Sequence, residues 1–120
     1  MTTNAEVIAF FAPLSAHSDV AIELEAALKR LGDYRIAFMD RQFGALYAIA
    51  NDTVFCAASG MNHTFFRLRP ADIATALATG AEPCGVGPEW VRIPLFRNDW
   101  PKPDLAFWAL RAYDYAKTGK

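Results

Sequence analysis

The chain has 120 residues, of which 53% are apolar and 21% are charged. This length fits one domain with a core of its own, and the composition is that of a globular rather than a disordered protein. Lys and Arg number 12 against 13 Asp and Glu, which gives a net charge of -1. The overall charge therefore gives no support to nucleic-acid or membrane binding, and only a local basic patch would.

The N-terminal residues show no targeting signal. Residues 1–19 contain no basic leader, and Pro13 interrupts their apolar run, so we expect neither a signal peptide nor a membrane span. The two cysteines, Cys56 and Cys84, are too few and too far apart for a disulfide framework. We expect each to pack as a small apolar residue in a reducing, cytoplasmic setting.

Two helices are predicted in the first third of the chain. Residues 5–12 are apolar nearly throughout, and periodicity alone fits either a helix or a strand. Asn4 as an N-cap and Pro13 as a stop favour the helix. A second helix is predicted over residues 18–31, where apolar side chains recur at helical spacing before Gly32, which suits a C-terminal cap.

The middle third consists of short runs rich in aromatic and β-branched residues, separated by turn signals. One of these signals, Asn51-Asp52, suits a two-residue hairpin. Short links of this kind join neighbouring antiparallel strands, because parallel strands need long crossovers. The predicted strands are residues 34–39, 45–50, 53–58 and 63–69.

The last third adds a short helix over residues 70–79, a Gly/Pro-rich loop to Glu89, a strand over residues 90–96, and a final helix that begins near Pro103. Ile73 and Leu77 are expected to anchor the short helix on the core. The whole string predicts one α+β domain over residues 1–120, with an antiparallel sheet of about five strands and helices packed on one face.

Strand alternation divides the side chains between two faces of this sheet. Helices are expected to cover the side of Leu68, Val91, Ile93 and Leu95. The opposite, partly open side is named here the arginine face. Its expected members are His63, Phe65, Arg67, Arg69, Trp90 and Arg92.

Guanidinium groups beside aromatic rings can hold a phosphate or carboxylate while they stack on a base or another ring. The arginine face is therefore a candidate site for nucleic acid or an anionic small molecule. The alternative is that these are solvated outward residues, with Phe65 and Trp90 covered by a terminal segment or a partner chain. Exposed strand faces routinely carry Arg, which favours the alternative.

The string GAEPCGVGPEWVRIPLF, followed by a polar, Pro-containing loop and the helix FWALRAYDYA, resembles the MmcQ/YjbR-like family and the related N-terminal domain of the TfoX family. The similarity extends from about Leu31 to Ala116. Residues 40–44 stand where TfoX-type domains carry a Met-Phe-Gly-Gly turn, which makes the YjbR-like group the better match. The resemblance implies a YjbR-like fold and a DNA-binding or regulatory role.

The sequence carries no catalytic or metal-binding signature. Neither cysteine shows a motif that links it to His17 or His63, and no Cys-x-x-Cys or His-x-x-x-His pair exists. The loop over residues 80–87 lacks the Lys-Ser/Thr of a phosphate-binding loop and leads into a strand. We therefore expect neither a cofactor nor an enzyme activity.

Two functions are favoured at this stage, and a small-ligand enzyme, which would need a deep pocket joining Cys84 or His63 to a carboxylate, ranks third. The first is a small cytosolic binding or regulatory domain that contacts nucleic acid or another anionic ligand through the arginine face. The second is an interaction or self-association module. A homodimer is then expected through the edge strand near Pro94 or through the last helix, which has aromatics on more than one side: Phe107, Trp108, Tyr113 and Tyr115.

Overall fold

A computed structural model describes residues 3–11, 18–29, 31, 35–38, 46–60, 62–95 and 103–118. The helices are α1 (Asn4–Phe11), α2 (Ser18–Leu28), α3 (Pro70–Ala78) and α4 (Leu105–Thr118). The strands are β1 (Arg35–Phe38), β2 (Leu46–Ala50), β3 (Thr53–Ser59), β4 (His63–Arg67), β5 (Glu82–Pro83) and β6 (Trp90–Pro94). Several predicted features fall outside the described residues, namely Pro13, His17, Gly32, residues 40–44 and Phe96.

The six described strands form one antiparallel sheet in the order β1-β2-β3-β4-β6-β5. Asn51 and Asp52 have φ values of 50° and 58°, so they form the predicted two-residue hairpin between β2 and β3. The prediction of an α+β domain with an antiparallel sheet is confirmed. The two-residue strand β5 was not predicted, because it lies within the Gly/Pro loop and one of its residues is Pro83.

The short helix α3 has the predicted boundaries for local reasons. Pro70 occupies its first turn, and Gly80 follows its last turn at a φ of 108°. The Gly80 N–H donates to the Leu77 carbonyl (3.4 Å), and the Ala81 N–H donates to the Ala76 carbonyl (3.1 Å). These two bonds form a Schellman motif, which satisfies carbonyls at the end of the helix.

The first helix is confirmed, but its cap differs from the expected one. The Glu6 N–H donates to Thr3 Oγ1 (3.2 Å) and the Thr3 N–H donates to Glu6 Oε1 (3.1 Å), which is a capping box with Thr3 as N-cap. Asn4 instead ties α1 to the β2–β3 hairpin. Its Nδ2 donates to the Asp52 carbonyl (2.8 Å), and its Oδ1 accepts from the Val54 N–H (2.9 Å).

The main core lies between one face of the sheet and helices α2, α3 and α4. It includes the strand residues expected on that side, Leu68, Val91, Ile93 and Leu95, each 4% exposed or less. Helices α2 and α4 add apolar residues such as Leu24, Leu28, Trp108 and Ala112. No helix in the described part of the chain is long and apolar enough to cross a membrane.

A second, smaller core lies on the opposite face of the sheet, beneath α1. Val7 and Phe11 of α1 pack on a set of buried strand residues, which are Tyr47, Val54, Ala57, Phe65 and Trp90. The expectation that helices cover only one face is therefore wrong in this region. The apolar residues of α1 lie on nearly all of its sides, so its sequence pattern did not reveal that it needed a surface to cover.

Candidate functional site

Arg67 is buried at the end of β4 and does not lie on an open surface. It is 2% exposed, and its Nη2 lies 3.1 Å from Glu89 Oε2. Its guanidinium carbon lies 4.4 Å from the centre of the Tyr115 ring. A buried charge is tolerated only with a close partner, and Glu89 is that partner here. Arg67 is therefore part of the packed interior.

Arg69 contacts the same aromatic ring from α4. Its guanidinium carbon lies 5.1 Å from the centre of the Tyr115 ring, and its Nη2 donates to Thr118 Oγ1. Both contacts join the segment between β4 and α3 to the last turns of α4. Arg69 and Arg67 thus share Tyr115 and hold α4 against the end of the sheet.

Arg92 is the exposed member of the arginine face. Its Nε and Nη2 each lie 2.8 Å from Glu82 Oε1, across the β5–β6 pair. His63 Nε2 lies 3.8 Å from the same oxygen. Burial, aided by the charge of Arg92 and opposed by that of Glu82, lowers the pKa of His63. The Arg92–Glu82 ion pair lies at the surface, and ion pairs of this kind contribute about 0–1 kcal/mol to stability.

The structure therefore separates the six residues of the arginine face into three groups, and the expectation of one open surface is wrong. The first group lies buried beneath α1, the second surrounds Tyr115, and the third meets Glu82 at the surface. In that order the groups are Phe65 with Trp90, Arg67 with Arg69, and His63 with Arg92.

An apolar hollow of about 380 Å³ lies where α3 faces β5, the following loop and the start of β6. This volume falls within the range of about 300–1,000 Å³ that is usual for ligand pockets. None of the residues that line the hollow, all of them described, carries a charge. Its walls include Ile73, Leu77, Pro83, Cys84, Trp90 and Val91.

Two large apolar side chains are exposed beside this hollow. Leu77 of α3 lines it and is 39% exposed, whereas the sequence predicted that this residue anchors α3 on the core. Phe10 of α1 is 41% exposed and lies against Gly85 of the hollow wall, where an added β-carbon would be 3.5 Å from Phe10 Cε2. Leu77 and Phe10 therefore extend the apolar surface of the hollow outwards.

Trp90 both lines the hollow and belongs to the smaller core beneath α1. It lines the hollow, is 1% exposed, and packs on Phe11 with 6.1 Å between ring centres. Its Nε1 is buried and makes no hydrogen bond with any described residue. Arg67, the neighbour of Trp90 across β4 and β6, has one further such atom, Nε, whereas its Nη2 lies 3.1 Å from Glu89 Oε2. Leaving a buried donor unpaired costs about 1–3 kcal/mol.

The cysteines do not form a nucleophilic centre in the described part of the chain. Cys56 is fully buried, and burial strongly raises the pKa of its thiol. Burial also raises the pKa of the half-buried Cys84 thiol, against the lowering effects of the Val86 N–H and Arg92. Thiols with raised pKa values stay protonated near neutral pH and are poor nucleophiles. The described residues contain no group of three metal-ligating side chains.

Most aromatic side chains of α4 pack against other residues of the same chain. Trp108 is buried in the main core, and Tyr113 lies 5.9 Å from Phe55 between ring centres. Phe107 is 41% exposed, with the Arg111 guanidinium 5.0 Å from its ring centre. A homodimer through α4 stays a prediction.

The hollow was not predicted from the sequence. The spacing of apolar residues assigned Ile73 and Leu77 to the core. For the Gly/Pro loop, the sequence only argued against a phosphate-binding site. The available signal was the loop composition, since Gly85 and Gly87 give a wall without bulky side chains beside Trp90. Of the predicted site residues, Trp90 is the one that lines the hollow.

Comparison of the chain with protein-family models, with curated proteins and with solved structures finds no match. The resemblance to the MmcQ/YjbR-like family therefore stays a prediction from the sequence motifs.

Proposed function

We propose that this protein is a binding module that holds a segment of a partner protein through an apolar anchor residue seated in the hollow between α3 and β6. The observation that carries the proposal is an uncharged apolar hollow that continues into two exposed side chains, Leu77 and Phe10. Burial of exposed apolar surface is the dominant favourable term in protein association.

The exposed side chains favour a protein segment over a small molecule. A small molecule inside the hollow would leave Phe10 on α1 exposed, because Phe10 does not line the hollow. A segment that places one side chain in the hollow and continues across Gly85 would cover Phe10 as well. Anchor residues that fill pockets commonly carry most of the binding energy of an interface.

An anionic ligand on the arginine face, nucleic acid included, is the less supported proposal. The guanidinium groups of Arg67 and Arg92 already face the carboxylates of Glu89 and Glu82. A phosphate would have to displace these carboxylates, and in the case of Arg67 it would have to enter the protein interior.

The test uses peptides selected from a random displayed library on the wild-type protein. Their affinities are then measured for the variants Leu77→Ser and Leu110→Ser. Leu110 is 49% exposed on α4 and does not line the hollow, so it is the matched control. We expect Leu77→Ser to weaken binding about tenfold or more, because burying a leucine side chain contributes about 1.5–3 kcal/mol. Leu110→Ser should change affinity less than about twofold.

Equal affinity of the selected peptides for the Leu77→Ser variant and the wild type would contradict the proposal. Equal losses in both variants would also contradict it, since they would indicate a general effect on the fold. Circular dichroism and thermal unfolding of each variant provide the check that the fold is retained.

A further inference from the structure

We propose that two copies of this chain associate through the outer face of α4, with the two α4 helices packed antiparallel about a twofold axis that passes between Leu110 and Arg111. The proposal concerns a face of the molecule other than the hollow, so it does not depend on the proposed function. It identifies the partner as a second copy of the chain and specifies the orientation of that copy.

The outer face of α4 is an exposed stripe opposite the residues that pack on the main core. Phe107 on this stripe is 41% exposed and Leu110 is 49% exposed. These two large apolar side chains are three residues apart, so they are neighbours on the helix surface and form one apolar patch near the middle of α4. The exposed residues of the stripe, together with the residue just before the helix, include Asp104, Phe107, Leu110, Arg111, Asp114 and Lys117.

The charged residues of the stripe alternate in sign along the helix. Their order is Asp104, Arg111, Asp114 and Lys117, so the stripe begins with an acidic residue and ends near a basic one. A second α4 that packed parallel and in register would set each charge opposite the same charge, which is unfavourable. An antiparallel second copy sets opposite charges against each other at both ends of the stripe. The charge pattern is therefore complementary to itself in the antiparallel orientation.

The positions of the charges also define the register of the antiparallel pair. When Asp104 of one copy lies opposite Lys117 of the second copy, Leu110 lies opposite Arg111 of the second copy. Each facing pair occurs twice, because a twofold interface uses the same surface on both copies. The apolar patches of the two copies, with the methylene stems of Arg111, then meet at the axis.

The contacts that these charged residues make within the chain are compatible with this register. Asp104 Oδ1 accepts from the Phe107 N–H (3.2 Å) and so caps α4. Arg111 Nη1 lies 3.5 Å from Asp72 Oδ1, yet 49% of the Arg111 side chain is exposed. Lys117 is exposed in the last turn of the helix. An ion pair between the two copies therefore requires no buried charge.

The size of the stripe indicates a weak, reversible dimer. A helix of 14 residues is about 21 Å long, and interfaces that bury less than about 1,200 Å² are typical of transient complexes. Such a dimer dissociates on dilution. Peptide binding and unfolding measured on dilute protein therefore report on the single chain.

The first test is sedimentation equilibrium of the full chain at rising concentration and low salt. We expect the wild type to dimerise reversibly and Leu110→Ser to weaken dimerisation at least about tenfold, because each copy withdraws one leucine side chain from the interface. Phe107→Ala, a second change in the same patch, should weaken dimerisation as well. Leu77→Ser, an exposed leucine of the hollow, is the matched control and should change it less than about twofold.

A double-mutant cycle on Asp104 and Lys117 tests the register. Asp104→Asn removes a charge and keeps a residue type that caps helices, and Lys117→Gln removes the opposite charge. At low salt we expect each variant to weaken dimerisation about two- to tenfold, and the double variant to weaken it no more than either single variant. Lys29→Gln, which neutralises an exposed lysine after α2, is the matched control and should have less than about a twofold effect.

Three results would overturn the proposal. The first is a chain that stays monomeric up to about 1 mM. The second is a dimer that Leu77→Ser weakens and Leu110→Ser does not, because the second copy would then occupy the hollow. The third is a set of losses from Asp104→Asn and Lys117→Gln that add in the double variant, which would show that these two charges do not face each other. Circular dichroism of each variant provides the check that the fold is retained.

Discussion

The two faces of the sheet are covered to different extents. On one face α4, a helix of 14 residues, packs together with α2 and α3 over an almost entirely apolar core. On the other face α1 has only 8 residues, of which Val7 and Phe11 are buried. Trp90, whose Nε1 makes no hydrogen bond with any residue that the structure describes, belongs to this second face. The candidate site lies at the β5 edge of the sheet, between α3 of the first face and β6, with Phe10 of α1 against Gly85 in its wall.

The largest expected effect comes from truncating a phenylalanine of the main core, and a phenylalanine beneath α1 provides the comparison. We expect Phe66→Ala, in the main core, to lower the free energy of unfolding by about 3–5 kcal/mol. Phe11→Ala should cost less, about 2 kcal/mol, because α1 can separate from the sheet as a local unit and leave the main core intact. Urea denaturation measures both values.

Phe107→Ala is the control for this pair, because the side chain is 41% exposed, and it should change stability by less than about 0.5 kcal/mol. A loss for Phe11→Ala as large as that for Phe66→Ala would remove the distinction between the two faces.

A second comparison uses the two arginines that face carboxylates. Arg67→Ala should lower the free energy of unfolding by about 3 kcal/mol, because it removes the buried guanidinium that lies 3.1 Å from the Glu89 carboxylate. Arg92→Ala should cost about 0–1 kcal/mol, because Arg92 and Glu82 both keep more than 40% of their side chains in solvent. Similar losses for the two variants would contradict the burial of the Arg67–Glu89 pair.

The smallest expected effect concerns His63, whose pKa burial holds below the ordinary value of 6.5. Below pH 6.5 the unfolded chain binds a proton at this position more readily than the folded chain does. His63 therefore lowers stability as the pH falls through 6.5 towards its own folded pKa. We expect the stability of the wild type to fall more between pH 7.5 and pH 5 than that of His63→Gln. The opposite order would mean that Glu82 outweighs burial at this position.

Local chemistry made much of the fold predictable. Asn51-Asp52 specified its hairpin, and Pro70 with Gly80 specified both ends of α3, because each depends on the backbone preferences of the residue itself. The side of the sheet that α1 covers depends instead on contacts distant in sequence. Asn4 fixes it through Asp52 and Val54, and no pattern within α1 encodes that contact.

The candidate site was less predictable for the same reason. Alternation correctly placed Phe65 and Trp90 on one side of the sheet, but alternation gives the direction of a side chain and does not reveal what covers it. The burial of Arg67 depends on Tyr115, nearly fifty residues later in the chain. The hollow depends on the distance between α3 and the Gly/Pro loop, which is a property of packing alone.

The most direct test of the central claim is an NMR measurement of intermolecular nuclear Overhauser effects between a selected peptide and the methyl groups of the protein. We predict effects from the anchor side chain of the peptide to the methyl groups of Ile73 and Leu77, with none to the exposed Leu110 on α4. Effects that reach Leu110 and not Ile73 or Leu77 would contradict the claim that the hollow between α3 and β6 is the binding site.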